Sequence, residues 1–108
     1  MPEDYRLILN TCPDSDTAER LALLMVENKL AACVNIVSGI TSIYRWQADI
    51  QKDQEFLLLI KTKERYYSAL ETLIREHHPY ELPEIISVPI EKGLAEYLAW
   101  IDQNTSTT

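Results

Sequence analysis

Residues 33 to 46, CVNIVSGITSIYRW, are rich in β-branched and aromatic side chains and contain no proline, so they read as one extended strand. An ordinary strand has about 5–6 residues, and a run of this length must bend or project beyond the body of its domain. Ser38-Gly39 is the place where a bulge costs least. Val34, Ile36, Ile40, Tyr44 and Trp46 share one parity and are expected on one side of the strand. Beyond a polar connection, QADIQKDQ, comes EFLLLIKT, where Phe56, Leu58 and Ile60 face one way and Leu57 and Leu59 the other. Both sides of that strand want burial. The two runs make a long central hairpin, residues 33 to 62, with free edges that proteins normally protect by pairing.

The remaining elements decide what the hairpin is attached to. Leu7-Ile8-Leu9 forms a buried strand that ends at Cys12-Pro13-Asp14. Asp14, Ser15 and Asp16 supply helix-start acceptors, and Ala18, Leu21, Ala22 and Met25 follow at helical spacing. Thr62 is the expected cap of a second helix, whose stripe of Tyr66, Leu70, Leu73, Ile74 and His77 runs to the stop at Pro79. IISVPI, residues 85 to 90, is a last strand, and Pro89 places it at an edge or a bulge. After Gly93, Leu94, Tyr97, Leu98 and Ile101 predict a short C-terminal helix, followed by a loose polar tail over residues 103–108.

This order predicts an α+β chain, β-α-β-β-α-β with an additional C-terminal helix, an antiparallel sheet and helices on one face. With 108 residues, 46% of them apolar, the chain is one domain over 1–108 without repeat or linker. The sheet face opposite the helices needs another cover, and a second copy of the chain is the economical one.

Charge and cysteine usage narrow the partners. A formal net charge of −7 disfavours nucleic acid and anionic membranes. No apolar run is long enough to span a bilayer, and Met1-Pro2-Glu3-Asp4 lacks the basic start of a signal peptide, so a cytoplasmic protein is expected. Cys12 and Cys33 are too few for a disulfide framework and too far apart for a CxxC pair, which favours reduced thiols.

The stretch HHPYELPE, residues 77 to 84, carries the most chemistry. His77 continues the apolar stripe and is expected to pack in the last helical turn. His78 precedes proline and is pushed out of the helix, free to present a ring nitrogen to a metal, with Glu81 and Glu84 near. Such a mixed site suits copper or zinc better than calcium or magnesium. Arg45 and Lys61 are either ordinary exposed charges or anion contacts, and Trp46 is either a ligand platform or a packing residue against a neighbouring chain. No nucleophile and base pair, phosphate-cradling loop or HExxH pattern occurs, so no enzyme is expected.

NTCPD, KLAACVNIVSGITSIYRW, EFLLLIKT, HHPYELPEIISVPI and YLAWI together resemble the CutA divalent-cation-tolerance family, from Leu7 to Ile101. The resemblance implies a ferredoxin-like protomer in a homotrimer whose hairpins pair across chains, and binding of divalent metal, Cu(II) before Zn. It implies metal ligands at His77 and His78, and a cleft between protomers formed by Cys33, Trp46, Lys61, His78, Tyr80 and Glu84. A cysteine proposed as a copper ligand in one branch falls on Asn10 here, so Cys12 would have to stand in for it. The alternative is a PII-like signalling trimer in which Lys61, Trp46 and Tyr80 grip a small organic anion between subunits.

Overall fold

The structure is a computed structural model that describes residues 4–106. Its elements are β1 (Tyr5–Cys12), α1 (Ser15–Glu27), β2 (Cys33–Trp46), β3 (Asp49–Lys63), a 3-10 turn (Glu64–Tyr66), α2 (Tyr67–His77), β4 (Ile85–Pro89) and α3 (Ala95–Gln103). The four strands form one antiparallel sheet in the order β2-β3-β1-β4, the expected α+β arrangement with a long central hairpin. Pro89 ends the edge strand β4, where its missing N–H removes no ladder bond.

Residues 49 to 54, expected as a polar connection, are strand. β3 has 15 residues, and the turn shrinks to Gln47-Ala48, with Gln47 in the left-handed region at φ 59°. These polar side chains escaped a strand reading because no core faces them; cross-strand pairing alone holds them. β1 has 8 residues and its last pair is Cys12 with Phe56, so beyond that point only β2 accompanies β3. The hairpin therefore projects past the body, and the molecule reaches 45 Å in its longest direction.

The bend at Ser38-Gly39 is present as a bulge. Val37 pairs with Leu57 and Ile40 with Glu55, so β2 advances by three residues while β3 advances by two. Gly39 sits at φ 73°, which a residue with a Cβ adopts only with strain. The extra residue has a consequence that parity counting missed. Val34 and Ile36 share a face with Ile60 and Leu58, whereas Ile40, Tyr44 and Trp46 lie on the other face, with Glu55. The expected single stripe is thus two half-stripes on opposite sides.

One face of the sheet carries the core. Ile8, Cys12, Leu58 and Ile60 are fully buried there against Ala18, Leu21 and Met25 of α1 and Leu70 and Ile74 of α2. Asp14 starts α1 as expected, its Oδ1 accepting from the Thr17 N–H at 2.8 Å. The helix closes at Lys29 in the left-handed region, with Leu30 N–H returning to Met25 O at 3.0 Å. Thr62 does not cap α2. It remains in β3, buried, and its hydroxyl donates to Leu30 O at 2.6 Å, because the strand continues to Lys63 before the 3-10 turn starts the helix.

Helices do not keep to one face. Tyr5 and Lys63 pair on the side opposite Ile8, and both reach Asp102 of α3, Tyr5 Oη at 2.6 Å and Lys63 Nζ at 2.8 Å. α3 thus covers one end of the second face, where Ile101 is fully buried outside the main core. The tail expected to be loose is tied down through residue 106. Thr105 is buried with its hydroxyl on Ile101 O, and Ser106 N–H donates to Lys29 O at 2.8 Å. Thr107 and Thr108 lie outside the described residues. Between α3 and the far end of the hairpin, Leu7, Leu9, Val37, Leu57, Leu59, Ile86 and Val88 share a partly exposed apolar strip with no element of the described residues over it.

Candidate functional site: a carboxylate and aromatic cleft beside the hairpin

Where β1 stops, the loop between α2 and β4 moves in beside β3 and the outer half of β2. A cleft of ≈ 660 Å³ lies between them, lined among others by Thr11, Trp46, Glu55, Tyr80, Glu81 and Glu84. Asn10, fully buried on β1, ties this loop to the sheet by donating from Nδ2 to Glu84 O at 2.8 Å. Its Oδ1 receives the Cys12 thiol at 3.4 Å. The residue standing where a copper-ligating cysteine was sought is therefore a loop anchor. Cys12 does not replace that ligand: it is fully buried on the core face, and burial pushes its thiol up to about 12, far from the thiolate that binds metal.

The two histidines exchange their expected roles. His77 ends α2 exposed, because the buried stripe stops at Ile74, and its carbonyl accepts from Arg20 Nη2 at 3.2 Å. His78 is extended, as a residue before proline should be, but that geometry turns its ring inward. It is 8% exposed, with Nε2 2.8 Å from Thr11 O and Nδ1 accepting the Tyr80 N–H at 3.1 Å. In this neutral tautomer Nε2 donates and Nδ1 accepts, so neither nitrogen has a lone pair to spare for a metal. Burial lowers its pKa below the ordinary value, with the Thr11 and Glu55 contacts acting in the opposite sense. The expected metal pair is thereby split: within the chain only His77 presents an open imidazole.

Tyr80 stacks at a tilt against His78, ring centroids 4.8 Å apart, and its hydroxyl donates to Glu55 Oε2 at 2.7 Å. Glu55 is 6% exposed. On the same strand pair Tyr44 donates to Asp53. Burial, then Glu55, pushes the Tyr80 phenol well above its usual value, and the bond to Asp53 raises that of Tyr44. Trp46, Tyr80 and Glu84 thus meet in the cleft, with His78 behind Tyr80.

Cys33 and Lys61 do not join them. They form a cross-strand pair at the base of the hairpin, with Lys61 Nζ 4.0 Å from Cys33 Sγ and Tyr97 of α3 near enough that burial and then this thiol raise its phenol pKa. Within one chain the expected cleft set therefore falls into two groups at opposite ends of the sheet. Glu55, Tyr44 and Asp53 were missed by sequence reasoning. The available signal was the parity of Glu55, which it shares with Leu57 and Leu59 on a face that turns out to be partly covered. Among the described residues no group of three or more histidine, cysteine, aspartate or glutamate side chains is placed to hold a metal ion. No helix among them is long and apolar enough to cross a membrane.

Comparison with known proteins assigns the chain. The profile of the CutA1 divalent ion tolerance protein family matches residues 6–104. The divalent-cation tolerance protein CutA of Thermus thermophilus is 48% identical over 92% of this chain and 96% of its own length. Protein CutA of Mus musculus is 44% identical over 90% of this chain, which spans only 55% of the mouse protein. Among solved structures, the divalent cation tolerance protein of Thermus thermophilus superimposes with a TM-score of 0.92 at 46% identity, covering 94% of this chain and 99% of that one. CutA1 of Oryza sativa gives 0.94 at 40% identity, covering 98% and 97%. With the fold, its hairpin and nearly every residue from β1 to the end of α3 accounted for, the chain belongs to the CutA1 divalent ion tolerance protein family.

Proposed function

We propose that this chain acts as a homotrimer that binds divalent cations in support of divalent-cation tolerance. The observation that carries the assembly is the open sheet face: an apolar strip of seven side chains and two projecting strand edges need partners, and copies of the same chain supply both. Family membership supports the cation role. Cu(II) is the strongest binder expected at an imidazole, with Zn(II) weaker. His77 is the ligand within the chain, and because it stands alone, a partner subunit or water completes the shell. The unpaired thiols Cys12 and Cys33 support a reducing compartment such as the cytoplasm.

Light scattering after gel filtration, followed by calorimetric Cu(II) titration of the wild type and of His77→Ala, tests this reading. A trimer with Cu(II) affinity weakened in His77→Ala is expected. A folded monomer at micromolar concentration, or an unaltered titration in the variant, defeats it.

One observation favours a second reading, a PII-like signalling trimer that binds a small organic ligand. The cleft has the volume of a small-molecule site rather than of an ion site. Lys61, expected to grip an anion there, lies instead beside Cys33.

A further inference from the structure

The charges on the walls of the cleft are mostly negative. Glu55, Glu81 and Glu84 line it against a single guanidinium, that of Arg45. Arg45 pairs with Ile50, and alternation places it on the strand face opposite Tyr44 and Trp46. Asp53, bonded to Tyr44 and paired with Ser42 of the lining, adds a fourth carboxylate next to the wall. Glu55 is the deepest of them. It is more than nine-tenths buried, accepts from Tyr80 through Oε2, and has no other described side chain as a donor. Its second oxygen, Oε1, is not among the buried unpartnered atoms and is left open to a cation or donor.

The rest of the wall is aromatic. Tyr44, Trp46 and Tyr80 line the cleft, and aromatic rings attract cations through their quadrupoles and exclude water from a carbon skeleton. A bare metal ion gains little there, since no group of three or more ligating side chains exists among the described residues. An anion meets carboxylates and phenols whose protons are held by burial and the bond to Glu55 at Tyr80, and by the bond to Asp53 at Tyr44.

We propose that this cleft binds a small organic ammonium ion, its charge set against Glu55 and Glu84 and its apolar part against Trp46, Tyr44 and Tyr80. The inference rests on the second reading above, that the cleft is a ligand site, and reverses the sign of the ligand expected for it.

The chain has two tryptophans, so Trp100→Phe leaves Trp46 as the only indole reporter. In that background, phenethylammonium chloride and 3-phenylpropionate, which share a ring and differ in charge, are titrated against indole emission. Saturable binding of phenethylammonium alone is expected, weakened about tenfold by Glu55→Gln and by Glu84→Gln. Glu84 is exposed, so its variant serves if Glu55→Gln does not fold. Phenylpropionate binding equally well or better overturns the ammonium assignment and leaves the ligand cleft standing. Silence from both probes removes the cleft reading as well. Phenethylammonium binding that neither variant weakens places it elsewhere and overturns the proposal.

Discussion

Leu58 and Leu59 are neighbours in β3, yet Leu58 is fully buried under the helices while Leu59 is only partly buried on the other side of the same sheet. Around Leu58, two amphipathic helices finish the packing inside one chain. Around Leu59, α3 covers only the end near Lys63, and among the described residues the strip from Leu7 to Val88 is left without a cover. The difference teaches that this chain makes two kinds of apolar surface: a closed core that it completes itself, and an apolar plane that it leaves open.

The sharpest way to separate the two is to truncate on the closed side. Leu58→Ala should cost about 2–5 kcal/mol in chemical denaturation, since the fully packed site cannot collapse around the void. A loss below about 1 kcal/mol would mean that the helices repack freely and that the two faces differ less than their burial suggests.

Leu9→Asp probes the open side and should give a smaller effect of another kind. Its cost should be of the order of the roughly 1.5–3 kcal/mol gained by burying a leucine, and it should appear in assembly. We expect retained helical circular dichroism, a shift from trimer to monomer in light scattering, and a melting temperature that no longer rises with protein concentration. An intact trimer in this variant would assign the interface to another surface.

The smallest effect concerns His78, at the junction between closed core and cleft. Its folded-state pKa is depressed by burial, so the unfolded chain binds the proton more readily. Its contribution to stability is therefore fully present above the ordinary imidazole value of about 6.5 and is lost as pH falls through the lower folded value. Denaturation midpoints from pH 8 down to 5 should decline by this term, and His78→Gln should flatten that part of the curve. An unchanged slope in the variant would show that His78 is not the group responsible.

Much of the fold was legible in the sequence because its signals are local. The apolar runs at Leu7 to Leu9 and Phe56 to Ile60, the Asp14 cap, the helix stop before Pro79 and the edge position of Pro89 each depend on residues a few positions apart. The failures have tertiary causes. Residues 49 to 54 are strand because β2 pairs with them, and nothing in their own polarity says so. Thr105 and Ser106 are held by Ile101 and Lys29, contacts that a polar tail does not announce. The site was half legible. Trp46, Tyr80 and Glu84 do share a cleft, but whether His77 or His78 faced inward depended on where the α2 stripe overhangs its sheet. Glu55 read only as the polar first residue of the EFLLLIKT strand until its pairing with Ile40 placed it on the aromatic side.

The bulge between Val37 and Ile40 governs more than the path of the strand. It acts as a phase shifter: one surplus residue inverts the side on which everything downstream is displayed. Straighten the strand by a one-residue slip, with Gly39 rather than Ile40 opposite Glu55, and Tyr44 and Trp46 would move to the far surface with Val34 and Ile36, leaving Glu55 facing no indole at all. The cleft owes its aromatic wall to a count along the backbone: a slip of one position would erase it while every side chain that builds it remained in the chain, whereas loss of the one glycine of β2 would leave the faces in step.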